Sequence, residues 1–151
     1  MVHDLYEETI LDHSKRPRNC HAMQDATREA DGYNPLCGDK LRLYLKMEGD
    51  VVKDVSFVGS GCAISTASAS LMTESLKGKT REEALKMLDK FHALLTTDTA
   101  ASKDLGKLVV FCGVRDYPAR VKCATLAWHT LKSALSGAET EEPVTTENEP
   151  A

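Results

Sequence analysis

The strongest constraint on the fold is a regular alternation of side chains in the first half of the chain. Apolar and polar residues alternate over 40–47, which is the pattern of a half-buried strand. Glu48-Gly49-Asp50 is typical of a tight turn. Val51, Val55 and Phe57 then continue the pattern. The stretch therefore predicts an antiparallel hairpin with one face on the core.

Helical patterns lie on both sides of this hairpin, and caps, prolines and glycines mark their ends. A weaker strand pattern over 26–31 precedes the hairpin. Residues 108–112 have strand propensity, but their length also suits a short buried helix. The predicted helices run from Asp4 to Arg16, from Cys62 to Gly78, from the capping box Thr80–Glu83 to Leu95, and from Pro118 to Gly137.

Length and composition fit one ordinary globular domain. The chain has 151 residues, of which 42% are apolar and 28% are charged. We expect a single domain over residues 1–136. Residues 137–151 form an acidic tail with glutamates but no lysine or arginine, and we expect this tail to be disordered.

The charge and hydropathy patterns exclude two classes of partner. Without its acidic tail the chain is nearly neutral, so neither a nucleic-acid-binding face nor a basic membrane helix is indicated. No apolar run approaches the roughly 18 residues of a membrane span. The first residues also lack the basic-then-apolar order of a signal peptide. We therefore expect a cytoplasmic protein.

Three short stretches carry the chemistry of the chain. Cys37 and Asp39 lie two residues apart in a Gly/Pro turn, Cys62 lies where the hairpin gives way to a helix, and Cys123 lies near the start of the last helix. A set of disulfides is not expected, because an odd number of cysteines cannot all pair and the cytoplasm is reducing. Three thiols and a carboxylate suit a tetrahedral site for zinc or iron. The gaps between them are too long for a zinc finger or zinc ribbon.

Simpler interpretations exist for each of these residues. An isolated cysteine is more often a buried small hydrophobe, and Asp39 can be an Asx-turn residue. Arg120 can form a surface salt bridge. Of the remaining thiols, Cys20 is interpreted as a surface or loop thiol and Cys112 as a core thiol. The histidines show no ligand spacing and are expected on the surface or on helix faces: His3, His13, His21, His92 and His129.

Taken together, the three cysteine stretches resemble the motifs of the IscU/SufU family of iron–sulfur cluster assembly proteins, the NifU N-terminal-like family. The stretches are NPLCGD at 34–39, GSGCAIS at 59–65 and RVKCATLAW at 120–128, in the family's order. Lys122 stands where the IscU branch has a histidine, and residues 77–95 form an extra segment that the SufU branch carries. Both features favour the SufU branch.

The resemblance implies a fold and a function. The fold is α+β, SufE/IscU-like, with a small three-stranded antiparallel sheet and helices packed on one face. The implied function is that of a zinc-dependent sulfur carrier, which takes persulfide sulfur from a pyridoxal-phosphate cysteine desulfurase and passes it to a downstream cluster-assembly scaffold. The first alternative is a scaffold on which a [2Fe-2S] or [4Fe-4S] cluster is itself assembled. A zinc site that only holds the fold together and a zinc hydrolase are the remaining alternatives.

Carried over residue by residue, the resemblance implies that Cys37, Asp39, Cys62 and Cys123 bind the metal. Cys37 is also the implied sulfur acceptor, on a Gly/Pro loop that lets it leave the metal when a partner's histidine takes its place. Arg120 is implied to lie near the ligands, where its charge would stabilise a site of net negative charge. Thiolate is the nucleophile that attacks a persulfide, so a metal that keeps the acceptor deprotonated also keeps it reactive.

Overall fold

The helices and strands follow the order expected from the sequence. The computed structural model describes residues 2–35, 38–96, 103–114, 117–136 and 144–145. Within these ranges the elements are α1 (Val2–Lys15), β1 (Arg28–Asn34), β2 (Asp39–Glu48), β3 (Val51–Ser60), α2 (Ala63–Leu76), α3 (Arg81–Thr96), a 3-10 helix (Lys103–Val114), α4 (Pro118–Ser136) and β4 (Val144–Thr145).

The predicted hairpin of β2 and β3 forms the centre of the sheet. The two strands pair antiparallel, with Leu43 opposite Phe57, and β1 pairs antiparallel with the other edge of β2. Gly49 in the hairpin turn has a φ of 63°, which glycine adopts at little cost. The expected three-stranded antiparallel sheet is confirmed. The two-residue strand β4 adds to it, pairing parallel with Gly32 and Tyr33 of β1.

The sheet has one face against the helices and one face toward solvent. On β2, Leu41, Leu43 and Leu45 are buried, whereas Lys40 and Arg42 on the opposite face are exposed. Tyr44 also lies on that opposite face but is buried. Helix α4 packs on β1 and β2, and α2 packs on β3. The predicted packing of helices on one face is therefore confirmed.

Close packing between α4 and β1 depends on a glycine. A Cβ at Gly32 would clash with Oγ1 of Thr130 on α4, so a larger residue would push the helix away from the strand. Further along the helix, Trp128 is buried and stacks on Phe91 of α3, with ring centroids 4.7 Å apart. These contacts fix the position of α4 relative to the end of β1, where the candidate site lies.

Residues 108–112 are helical, which decides between the two interpretations that the sequence left open in favour of a short helix. They belong to the 3-10 helix, in which every third side chain shares one face. Leu108, Phe111 and Val114 follow this spacing and are completely buried. This face is buried against α3 and α1. The burial outweighs the strand propensity of these residues and favours a helix.

His13 lies on a face of helix α1, as expected, and that face is buried, with 2% of the residue's surface exposed. Its Nδ1 lies 2.7 Å from Oγ of Ser70, and its Nε2 lies 3.6 Å from Oε1 of Glu74. Both partners are on α2, so the ring joins α1 to α2. Burial is the largest cause that lowers the pKa of His13, and the charge of Arg18 adds to it.

Most of the acidic tail lies outside the described residues, so its predicted disorder stays a prediction. Within residues 137–151 the structure describes Val144–Thr145 as strand β4. Among the described helices, none has the length and apolar character needed to cross a membrane.

Candidate metal centre

The first member of the site, Asp39, is buried at the start of β2. None of its surface is exposed. Its Oδ1 accepts a hydrogen bond of 2.8 Å from the backbone N–H of Cys62, and its Oδ2 accepts one of 3.3 Å from Nδ2 of Asn34. These partners lie on β1 and at the start of α2, so the carboxylate has a tertiary role beyond that of a local Asx turn.

Cys62 is the N-cap of α2 and reaches solvent. The backbone N–H of Ser65 donates to its sulfur over 3.4 Å, as expected for the first turn of a helix. Gly61 before it allows the close approach to Asp39, because a Cβ at that position would lie 2.5 Å from Oδ1 of the carboxylate. The turn between β3 and α2 is thereby held against the start of β2.

The pKa of the Cys62 thiol is lowered to about 6. The largest cause is a hydrogen bond from the side chain of Cys123, and the backbone N–H groups of Ser65 and Ile64 lower the pKa further. Partial burial and the charge of Asp39 act in the opposite direction. The site therefore stabilises a thiolate at neutral pH.

Cys123 lies in the second turn of α4, with 3% of its surface exposed. Nδ2 of Asn34 donates to its sulfur over 3.4 Å. An exposed thiol and a buried thiol thus face each other across the site, with the buried carboxylate beside them.

The side chains of Asp39, Cys62 and Cys123 converge, with one potential ligand atom from each lying within 4.8 Å of the others. The Cys62 sulfur is 3.9 Å from Oδ2 of Asp39. Tetrahedral zinc with bonds of about 2.0–2.3 Å places neighbouring ligand atoms about 3.5–3.8 Å apart. Because the observed separations of at most 4.8 Å exceed these by little more than an ångström, side-chain adjustment is sufficient for the three residues to bind a zinc ion. It is the one such cluster of histidine, cysteine and acidic side chains found among the described residues.

The roles of two other predicted site residues are not tested by this cluster. Cys37 lies outside the described residues. Arg120 is exposed on the first turn of α4, three residues before Cys123, and its guanidinium lies 5.1 Å from the ring centroid of Tyr117. The metal-binding role of Cys37 and the electrostatic role of Arg120 stay predictions.

The other cysteines lie elsewhere. Cys20 is exposed, in agreement with its interpretation as a surface or loop thiol. Cys112 is partly buried and packs against the core. Neither belongs to the group of converging ligand atoms.

Asn34 is the polar residue of the site that the sequence did not single out. It lies within the NPLCGD stretch, but no role was predicted for it. The predicted strand covers only 26–31, whereas β1 extends to Asn34. The available signal was the alternation of Ala30, Gly32 and Asn34 with polar residues such as Glu29 and Asp31, which continues past the predicted end of the strand. A polar residue on the buried face of a strand indicates a hydrogen-bonded partner inside the protein.

Residues 5–136 match the model of the NifU-like N-terminal domain. The chain belongs to this family. It is 44% identical over 136 residues to the zinc-dependent sulfurtransferase SufU of Bacillus subtilis, covering 89% of this chain and 92% of the relative. It is also 39% identical over 148 residues to the iron–sulfur cluster assembly scaffold protein IscU of Streptococcus pyogenes serotype M1, covering 97% of this chain and 92% of the relative.

A solved structure has the same fold as this chain. The crystal structure of a candidate iron–sulfur cluster assembly scaffold protein for the SUF system, from Fervidobacterium islandicum AW-1, superposes with a TM-score of 0.81 and 39% identity. The superposition covers 88% of this chain and 98% of that one. The family membership and the α+β fold implied by the three cysteine motifs are both confirmed.

Proposed function

We propose that this NifU-like chain serves iron–sulfur cluster assembly as a zinc-dependent sulfur carrier. It would accept persulfide sulfur from a pyridoxal-phosphate cysteine desulfurase and pass it to a downstream cluster-assembly scaffold. The observation that carries the proposal is the convergence of Asp39, Cys62 and Cys123 within 4.8 Å, in a chain 44% identical to a relative named as a zinc-dependent sulfurtransferase. A cytoplasmic location, where thiols stay reduced, suits this chemistry.

Three described residues and one outside the described ranges would hold the zinc ion. Asp39, Cys62 and Cys123 supply one oxygen and two sulfurs, and Cys37 supplies the fourth ligand. Gly38 alone separates Cys37 from Asp39, so covalent geometry keeps their Cα atoms within about 7.6 Å. Bound zinc keeps its cysteine ligands deprotonated at neutral pH.

Cys37 is the proposed sulfur acceptor. Its thiolate attacks the terminal sulfur of the persulfide on the desulfurase cysteine. A new S–S bond forms on Cys37, the S–S bond on the desulfurase breaks, and the desulfurase cysteine leaves as a thiolate. The reaction exchanges one persulfide for another, so it needs no external oxidant or reductant.

The buried ligands and Cys37 would have different roles in sulfur transfer. Asp39 and Cys123 are buried and held by Asn34, so they are suited to retain the metal while another ligand exchanges. Cys37 belongs to the short segment between β1 and β2 and is the ligand we expect to leave. Arg120, on the same helix as Cys123, would stabilise the negative charge of the ligand set.

The second candidate function is that of a scaffold on which a [2Fe-2S] or [4Fe-4S] cluster is assembled. The 39% identity to the Streptococcus pyogenes relative, over 97% of this chain, favours it. The same three thiols can bind iron, so donor chemistry does not separate the two functions. A hydrolase is disfavoured, because anionic thiolate ligands reduce the Lewis acidity of zinc.

Metal analysis and a sulfur-transfer assay separate the candidates. The aerobically purified protein is expected to hold one zinc per chain and no chromophore near 400 nm. Added to a cysteine desulfurase and cysteine, it is expected to increase alanine formation and to gain one sulfur atom on the peptide that contains Cys37. Bound iron with absorption near 400 nm, together with an unchanged desulfurase rate, would replace this proposal with the scaffold function.

A further inference from the structure

Asn34 occupies a position where a polar side chain is costly unless it is hydrogen-bonded. It is the last residue of β1, and none of its surface is exposed. Burial of an unbonded amide is unfavourable, because its hydrogen bonds to water are lost without replacement. The side chain is therefore expected to be matched to specific partners.

Those partners are two of the proposed metal ligands. Nδ2 of Asn34 donates to Oδ2 of Asp39 over 3.3 Å and to Sγ of Cys123 over 3.4 Å. An amide nitrogen carries two N–H groups, so it can serve both acceptors at once. One side chain thus connects the ligand on β2 with the ligand on α4.

The backbone of Asn34 adds a third connection. Asn34 pairs with Asp39 across the ladder between β1 and β2, and its carbonyl accepts a hydrogen bond of 2.8 Å from the N–H of Gly38. The short segment that carries Cys37 therefore begins and ends on the same hydrogen-bonded pair. Asn34 and Asp39, which flank this segment, are thus fixed by contacts with each other.

We infer that Asn34 is a positioning residue of the metal centre, an inference that rests on the proposed zinc-dependent function. Its two N–H groups orient Asp39 and Cys123 and reduce the negative charge on their ligand atoms. These two residues then form the fixed part of the site while Cys37 exchanges. Hydrogen-bond partners of metal ligands typically change metal affinity by 10–100-fold.

The test measures metal binding by Asn34→Leu and Asn34→Ala in the full-length chain. Leucine has a similar volume but no donor, and alanine removes the donors without added bulk. Competition with a chelator is expected to give zinc affinities about 10–100-fold weaker than wild type for both variants. The visible bands of bound Co²⁺, which report ligand geometry, are expected to shift.

Thr130→Val is the matched control. Thr130 is completely buried on the same helix as Cys123, but its hydroxyl donates to the carbonyl of Leu126 and not to a ligand. This variant is expected to lose stability while keeping the zinc affinity and Co²⁺ bands of wild type. Circular dichroism establishes that each variant is folded at the temperature of the titration.

Two results would overturn the inference. One is a folded Asn34→Leu or Asn34→Ala protein with wild-type zinc affinity and Co²⁺ bands, and the other is an equal loss of affinity in Thr130→Val. Because only protein and metal are present, failure of wild type to stimulate a desulfurase counts against the proposed function alone. A wild-type protein that binds neither zinc nor Co²⁺ would overturn both.

Discussion

The carboxylate of Asp39 accepts a 2.8 Å hydrogen bond from the backbone N–H of Cys62. This bond joins the first residue of β2 to the N-cap of α2, so one potential ligand holds the backbone of another in place. The free N–H groups at a helix N-terminus favour negative charge, which suits both the carboxylate and the adjacent thiolate. The centre is therefore organised by hydrogen bonds within the chain itself.

The contact between Gly61 and Asp39 predicts the effect of Gly61→Ala. The added Cβ would lie 2.5 Å from Oδ1 of Asp39, so either the carboxylate or the turn before α2 must move. We expect zinc affinity to fall at least tenfold and the free energy of unfolding to fall by about 1–3 kcal/mol. Chelator competition and urea unfolding measure the two effects.

Gly49→Ala controls for general loss of stability. Gly49 has a φ of 63° and open space around it, so alanine there costs about 1–2 kcal/mol of backbone strain at the opposite end of the hairpin. Zinc affinity should be unchanged in this variant. Equal zinc affinities in Gly61→Ala and wild type would contradict the predicted displacement of Asp39.

The lowered pKa of Cys62 predicts early alkylation of this thiol in the metal-free protein. Its rate of reaction with iodoacetamide should rise with pH around a midpoint near 6, because thiolate is the reacting form. Cys123→Ala removes the largest cause of the lowered pKa, so the midpoint should move up toward the ordinary value of 9.0. Asp39→Asn removes a charge that raises the pKa, so the midpoint should move down. Peptide mass spectrometry identifies the modified cysteine, and a midpoint unchanged in both variants would refute this account.

Local patterns in the sequence were sufficient to predict most of the fold. The capping box is an example, since Thr80 Oγ1 accepts from the N–H of Glu83 and the Glu83 carboxylate accepts from the N–H of Thr80, each over 3.1 Å. The alternation in β2 likewise identified the buried face, because strand geometry makes every second side chain share one face. Both signals operate over a few residues, so no tertiary information was needed.

Relationships between distant residues could not be predicted in the same way. Asn34 and Cys123 are 89 positions apart, and His13 and Ser70 are 57 positions apart. No local pattern indicates that such pairs meet. The convergence of the cysteine motifs was predictable only through their resemblance to a family, since their spacing alone does not define a metal site.

Buried His13 predicts a loss of stability at acidic pH. Its pKa in the folded protein lies below the ordinary value of 6.5, chiefly because of burial. As the pH falls below about 6.5, the unfolded chain binds a proton that the folded protein does not, so the free energy of unfolding decreases by at most about 1.4 kcal/mol per pH unit from this group. Nearby Arg18 and Lys107 oppose protonation, whereas Glu74 and Asp12 favour it.

His13→Asn separates this titration from other acid effects. The asparagine amide has both a donor and an acceptor, so it can hydrogen-bond Ser70 in place of the ring Nδ1, but it does not titrate. Urea unfolding between pH 7.5 and 5.5 should show a shallower loss of stability for this variant than for wild type. His21→Asn, which removes an exposed histidine and leaves the buried one in place, should keep the wild-type slope. If His13→Asn lost stability with falling pH as steeply as wild type, His13 would not be the source of the pH dependence.

Cys37→Ala tests whether sulfur acceptance and the integrity of the fold depend on different residues. Residue 37 belongs to the short segment between β1 and β2, whereas the described core is formed by the sheet, the α-helices and the 3-10 helix and buries large side chains such as Trp128 and Phe91. We therefore expect the metal-free variant to match wild type in circular dichroism and in free energy of unfolding. Persulfide transfer from the desulfurase should fall to background, because the attacking thiolate is gone.

The matched comparison is Cys123→Ala, which removes a buried ligand from the fixed part of the site. Zinc affinity should fall further in this variant than in Cys37→Ala, because the Cys123 sulfur is held by Asn34 and faces Cys62. If zinc only holds the fold together, Cys37→Ala should instead unfold on dilution of zinc and show no selective loss of transfer. Retention of persulfide on a folded, zinc-loaded Cys37→Ala protein would show that another thiol accepts the sulfur, with exposed Cys62 the first to examine.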